Sequence, residues 1–195
     1  MQQKKRQKRE ERILSHLDKL NFATRKQLQV IEDLGGDRNA QRILRRMEKD
    51  RTLLSVRHEQ KIYYLSNKGK ERIGSNQSRL KRNKIKHTLM RNDLYIRLGM
   101  PKNWKNEVPV NINGKTLLIA DAMYTRGSKY YFVEIDNVQT MRTNYDKIKK
   151  YKELSDMIHE QYKHYPTLIW YSLSDVRKSK LKKACEKQGI KYEVI

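Results

Sequence analysis

The chain has 195 residues, of which 45 are Lys or Arg and 22 are Asp or Glu, for a formal net charge of +23; that length accommodates one full domain plus a small one, or two small ones. The single cysteine, Cys185, rules out an internal disulfide or a cysteine-built zinc cluster and fits a reducing compartment, and no apolar run approaches the roughly 18 residues needed to span a bilayer. The positive excess favours polyanionic partners through counterion release, and it is concentrated early: 27 basic against 11 acidic side chains in residues 1–100, and 18 against 11 in residues 101–195.

The N-terminal MQQKKRQKREE is charged and lacks the apolar centre of a signal peptide. It reads as a solvated arm or a frayed helix start that touches phosphates, or equally as disordered chain. Ile13, Leu14, Leu17 and Leu20 recur at helical spacing and predict a helix over 8–20 with one buried stripe. Thr24 followed by Gln27 is a capping-box signature, after which Leu28, Ile31 and Leu34 supply the apolar face of a second helix that Gly35-Gly36 ends. Asp37 is the expected N-cap of a third helix, with Ala40, Ile43, Leu44 and Met47 turned inward. The opposite face carries Arg38, Asn39, Gln41, Arg42, Arg45, Arg46 and Lys49, side chains that reach base edges in the major groove or phosphate oxygens.

Taken alone, such a face is more often the solvated side of an ordinary amphipathic helix. Its setting favours DNA: it is the third helix of a compact set, followed by two β-rich runs, 53–57 and 61–65, around a three-residue turn. Arg57, His58 and Lys61 lie near the tip of this hairpin, while Tyr63, Tyr64 and Leu65 complete sheet and core. The run YYLSNKGKERI resembles the end of many winged-helix transcription regulators, where a strand returns and a helix begins. Residues 8–75 are thus expected to form a winged helix-turn-helix domain. Residues 76–99 follow as a basic helical connector, with Leu80, Ile85, Leu89, Leu94 and Leu98 inward and Arg79, Lys81, Arg82, Lys84 and Lys86 able to meet a DNA backbone. His87 has no second ligand at metal-binding spacing and reads as a packed or solvated histidine.

Residues 100–195 change character. Strand-like runs at 107–112, 116–124, 129–136, 167–173 and 190–195 are interrupted by two helices, one with Met141, Tyr145, Ile148, Tyr151 and Ile158 as its buried stripe, the other capped by Asp175 and ended by Gly189. The fold class expected is α+β, a winged helix-turn-helix followed by a small mixed α/β domain. Cys185 is read as a packing residue. The chemical signal of residues 100–195 is the acidic set Asp121, Glu134 and Asp136. Glu134 interrupts the apolar strand YYFVEID, and Glu134 and Asp136, two apart, project from one face that Asp121 could join from a neighbouring strand. Three converging carboxylates need a cation, and magnesium suits such an oxygen site; alternatively Asp136 merely caps the turn that follows it.

The stretch LLIADAMYTRGSKYYFVEID resembles the core of the PD-(D/E)xK nuclease superfamily. The resemblance implies that Asp121 and Glu134 are metal-binding acids; Asp136 stands where the superfamily has its lysine, which argues against catalysis. Lys147 and Tyr151 resemble a helix motif of some of these nucleases, implying that Lys147 replaces the missing base or binds phosphate. The order of the whole chain resembles the replication-relaxation family of plasmid and mobile-element proteins of Gram-positive bacteria, implying a cytoplasmic protein that binds double-stranded DNA in replication, transfer or regulation, with a homodimer as one arrangement. The enzymatic alternative is a magnesium-dependent DNA endonuclease or nickase with Asp121, Glu134 and Asp136 on the metal and Lys147 positioning water. Without that activity no metal or small-molecule cofactor is indicated, and an RNA-binding role is disfavoured because the glycine and aromatic surface motifs it would need are missing.

Overall fold

The computed structural model describes residues 1–78, 81–112 and 114–195, and the chain divides into two compact units, Met1–Gly99 and Met100–Ile195. In the first unit the elements run α1 (Gln2–Leu20), β1 (Ala23–Thr24), α2 (Arg25–Ile31), α3 (Asp37–Lys49), β2 (Leu53–Arg57), β3 (Lys61–Leu65), α4 (Asn67–Ile73), a single 3-10 turn at Arg82–Lys84, and α5 (Ile85–Arg97). The strands form an antiparallel sheet of order β1-β3-β2, with Leu53 opposite Leu65 and Arg57 opposite Lys61. Ile13, Leu14 and Leu17 of α1 meet Leu28, Ile43, Leu44, Met47 and the hairpin residues Leu53, Tyr63 and Leu65 in one core.

Local signals placed these elements well, with differences at their ends. α1 starts at Gln2 rather than at residue 8, so the charged N-terminus is helical. The capping box forms: the Thr24 hydroxyl accepts from the Gln27 N–H and the Gln27 side chain accepts from the Thr24 N–H. α2 nevertheless ends at Ile31, and Leu34 is buried from the loop beyond it. Gly36, not Asp37, is the N-cap of α3; the Asp37 carboxylate instead accepts two bonds from the Arg25 guanidinium, at 2.7 and 2.9 Å, which ties the start of α3 to the start of α2.

The stretch expected as a connector packs on this same unit. Gln77 donates to the carbonyls of Leu17 and Asp18, Gln27 to the Leu89 carbonyl and the Asp93 carboxylate, and the buried Asn92 to the Phe22 carbonyl at 2.7 Å. Ile85 and Leu94 are buried and Leu89 and Leu98 partly so, while Leu80 lies outside the described residues.

The second unit runs β4 (Lys105–Ile112), β5 (Lys115–Arg126), β6 (Lys129–Asp136), α6 (Met141–Tyr162), β7 (Thr167–Ser172), α7 (Asp175–Gln188) and β8 (Tyr192–Val194). The sheet order is β4-β5-β6-β7-β8; the first three strands are antiparallel, and β6, β7 and β8 are parallel. Parallel neighbours require crossovers, and α6 and α7 supply them. Ile148, Tyr151, Leu154 and Ile158 of α6 and Leu181 and Cys185 of α7 bury Leu118, Ala120, Phe132, Leu168 and Trp170 of one sheet face. Burial pushes the Cys185 thiol up to about 12, in keeping with a packing role. Ser174, not Asp175, caps α7, and Tyr145, expected in the buried stripe of α6, is exposed.

Candidate functional site

Two groups of side chains carry chemistry, one in each unit. In the first, α3 turns Arg38, Gln41, Arg42, Arg45 and Lys49 outward. Their spacing of three and four residues keeps them on one face, because Ala40, Ile43, Leu44 and Met47 are held in the core. Arg42 donates to Asn39 Oδ1 at 2.7 Å. Asn39 itself is engaged by the loop, since its amide donates to the Leu34 carbonyl at 2.8 Å. Arg46 departs from the expected groove-facing set: it is half-buried and reaches Glu10 of α1 at 3.3 Å. Arg6 and Arg72 join Arg46 on Glu10. Burial raises the Glu10 pKa, but these cations outweigh it and hold the carboxyl below its usual range.

Arg9 of α1, which the sequence did not single out, stands close to this face. Burial, then the charges of Arg46 and Arg42, hold its guanidinium below the usual arginine range. On the hairpin, Arg57 and His58 are exposed, and Lys61 pairs with Glu48 of α3 at 2.9 Å while Ser55 donates to the other Glu48 oxygen. Lys81 and Arg82 are exposed ahead of α5; Arg79 lies outside the described residues.

In the second unit Asp121 and Glu134 come near one another, Asp136 stands two residues further along β6, and each of the three is already engaged. β5 and β6 are paired from Ala122 and Val133 outward; just beyond, the Asp121 carboxylate accepts the Ile135 N–H at 2.7 Å. Glu134 is fully buried between Lys147 Nζ at 2.6 Å and the Tyr151 hydroxyl at 2.7 Å. Burial and the nearby Asp121 charge push its pKa up to about 8, which Lys147 and Tyr151 offset only in part. The Tyr151 hydroxyl is raised well above its usual value by its own burial and by Glu134.

Asp136 accepts from Asn144, Ser172 and, twice, Arg177. Burial raises its pKa, but these hydrogen bonds, Arg177 first, prevail and hold it below the carboxylate range. The donor set therefore does not fit the expected magnesium site: Asp136 has a guanidinium where the metal would sit, Glu134 has an ammonium, and among the described residues no group of three or more His, Cys, Asp or Glu side chains could hold a metal ion. Lys147 is a counter-ion of Glu134 in this arrangement, with its side chain 22% exposed.

Sequence reasoning missed Arg177, Asn144 and Ser172, which decide what Asp136 does. The one signal within reach was that an acid at the end of a buried strand needs a partner of opposite charge, and α7 starts with an arginine in its first turn.

A protein-family model described as replication-relaxation matches residues 14–168, from within α1 to the start of β7. No curated protein and no solved structure matches the chain. No helix among the described residues is long and apolar enough to cross a membrane.

Proposed function

The chain belongs to the replication-relaxation family, and from that premise we propose that it is a sequence-specific double-stranded DNA-binding protein of a plasmid or mobile element, acting in replication, transfer or transcriptional regulation in the cytoplasm. The observation that carries this reading is the row Arg38, Gln41, Arg42, Arg45 and Lys49 on α3, exposed and, among the described residues, without an acidic partner. Guanidiniums on such a row match guanine edges and a glutamine matches adenine. The order α1-β1-α2-α3-β2-β3 with sheet order β1-β3-β2 supports a winged helix-turn-helix in which α3 enters the major groove and the β2–β3 hairpin is the wing. Arg57 serves the phosphates beside it; Lys61, neutralised by Glu48, serves them less.

The second unit acts as a nuclease-like body without the nuclease's metal site, used for dimerisation or added DNA contact. If two copies assemble, half-sites lie about one helical turn apart, or a multiple of that. Selection of bound duplexes from a random pool, followed by a salt titration on the enriched sequence, tests the reading. One enriched motif is expected, bound with an affinity that falls linearly in log salt. Tight binding with no enriched sequence would remove the sequence-specific part.

A further inference from the structure

The second unit carries a cluster of rings that neither the carboxylates nor α3 accounts for. α6 ends at Tyr162 with Lys163 in the left-handed region at φ 56°, and the chain turns through His164 and Tyr165 into β7. Tyr162 and Tyr165 are 51% and 48% exposed. They are fixed from behind. Tyr165 lies flat on His159, with centroids 4.0 Å apart and planes 5° from parallel. Tyr162 meets Tyr130 of β6 edge to face at 5.9 Å, and His164 sits 5.5 Å from Tyr130. One exposed cation, Lys163, follows Tyr162 and precedes His164 in the turn that carries the rings. Lys163 forms no ion pair among the described residues, unlike Lys61, Lys147, Lys152 and Lys178. Buried nitrogens of both histidines also have no hydrogen-bond partner there, and such groups ordinarily find one.

We infer that this end of the second unit is a stacking platform for single-stranded DNA. Nucleobases in a single strand expose their faces and stack on rigid aromatic rings, and the adjoining phosphates are met by lysines; in a duplex the same faces are already covered by neighbouring bases. Tyr162 and Tyr165 each offer an outer face to a base, and the rings behind them remove the entropy loss of ordering them on binding. Lys163, next to Tyr162 in the turn, supplies the charge complementarity. The platform shares no residue with α3, so it stands independently of the duplex-reading surface.

Fluorescence anisotropy of the full chain with a labelled oligo-dT strand tests it. Wild type is expected to bind the strand and to bind an abasic strand of equal length at least tenfold more weakly, since the abasic strand keeps every phosphate and loses every ring. Tyr162→Leu and Tyr165→Leu should each weaken oligo-dT about tenfold, Tyr165→Trp should restore it, and an Arg42→Ala/Arg45→Ala variant should bind oligo-dT as wild type does while losing duplex DNA. Equal affinity for the abasic strand, or loss of oligo-dT binding only in the α3 variant, would overturn the proposal. So would a preference for oligo-U over oligo-dT, which would make the ligand RNA. The abasic comparison uses the wild-type chain and stands even where a tyrosine variant misfolds.

Discussion

Arg177 closes on Asp136 as a fork: Nε lies 2.6 Å from one carboxylate oxygen and Nη2 2.5 Å from the other, while the same Nη2 also donates to the Gln139 carbonyl. The guanidinium joins the start of α7 to the loop after β6, and the Asp136 side chain is fully buried beneath it. Removing the cation leaves a buried carboxylate supported only by Asn144 and Ser172. Arg177→Ala should destabilise the second unit by on the order of 3 kcal/mol, read from urea denaturation. A change within error would mean that Arg177 is a surface residue and that Asp136 is available to other partners.

Glu134 should give the second unit an unusual pH response. Its folded pKa, about 8, lies above the ordinary 4.5, so the folded state holds a proton that the unfolded chain releases between those values. The sign follows: the stability this group contributes is fully present below about 4.5 and is lost as pH rises towards about 8. Glu10, Glu32 and Asp136, whose pKa values are lowered, act oppositely and lose their contribution in acid. Glu134→Gln should flatten the decline between pH 5 and 8 in a series of thermal melts. A wild-type profile that rises through this window would contradict the assignment.

Arg45 and Arg46 are neighbours in sequence with different work. Arg45 is exposed on the outer face of α3, whereas Arg46 reaches back to Glu10. Arg45→Ala should leave stability within about 0.5 kcal/mol and lower affinity for the selected duplex, by about 1–3 kcal/mol if it makes a base contact. Arg46→Ala should cost stability and leave base discrimination intact. Electrophoretic shifts on the site and on single-base variants, alongside melting curves, separate the two outcomes.

Gly69 has no room for a side chain. A Cβ built there would lie 2.1 Å from the Thr52 carbonyl oxygen, a backbone atom that cannot turn aside, with Leu14 of the core just behind. Ser66 also donates to the Arg51 carbonyl while accepting the Gly69 N–H, which fixes α4 against the turn before β2. Gly69→Ala should therefore destabilise the first unit by about 3 kcal/mol, at the upper end for an added methyl group. A neutral alanine would show that α4 is free to shift.

Magnesium should have little effect on this protein. With Glu134 on Lys147 and Asp136 on Arg177, no ligand set among the described residues is ready for it. Supercoiled plasmid should stay intact with magnesium at protein levels that shift all of the DNA, and the melting temperature of the second unit should not move. Cleavage that disappears in Asp121→Ala would restore the endonuclease or nickase reading.

How much of this was legible in the sequence depended on the range of the interaction. Helical periodicity located α1, α3 and α6, the Thr24–Gln27 box fixed the start of α2, and the short turn between residues 57 and 61 set the register of the β2–β3 hairpin, because each of these acts within a few residues. The basic row on α3 was legible for the same reason: the core residues of that helix determine which side faces out. What the periodicity of one element does not contain is which residue another element sets against it. Arg46 finds Glu10 from 36 positions away, and Arg177 finds Asp136 from 41. Those pairings turned one expected groove residue into a structural tie and one expected metal ligand into half of an ion pair. A buried charge must be neutralised by whatever the fold places beside it, so local spacing accounts for the elements and the sign of the surface, whereas packing between distant elements selects which charges remain available to a partner.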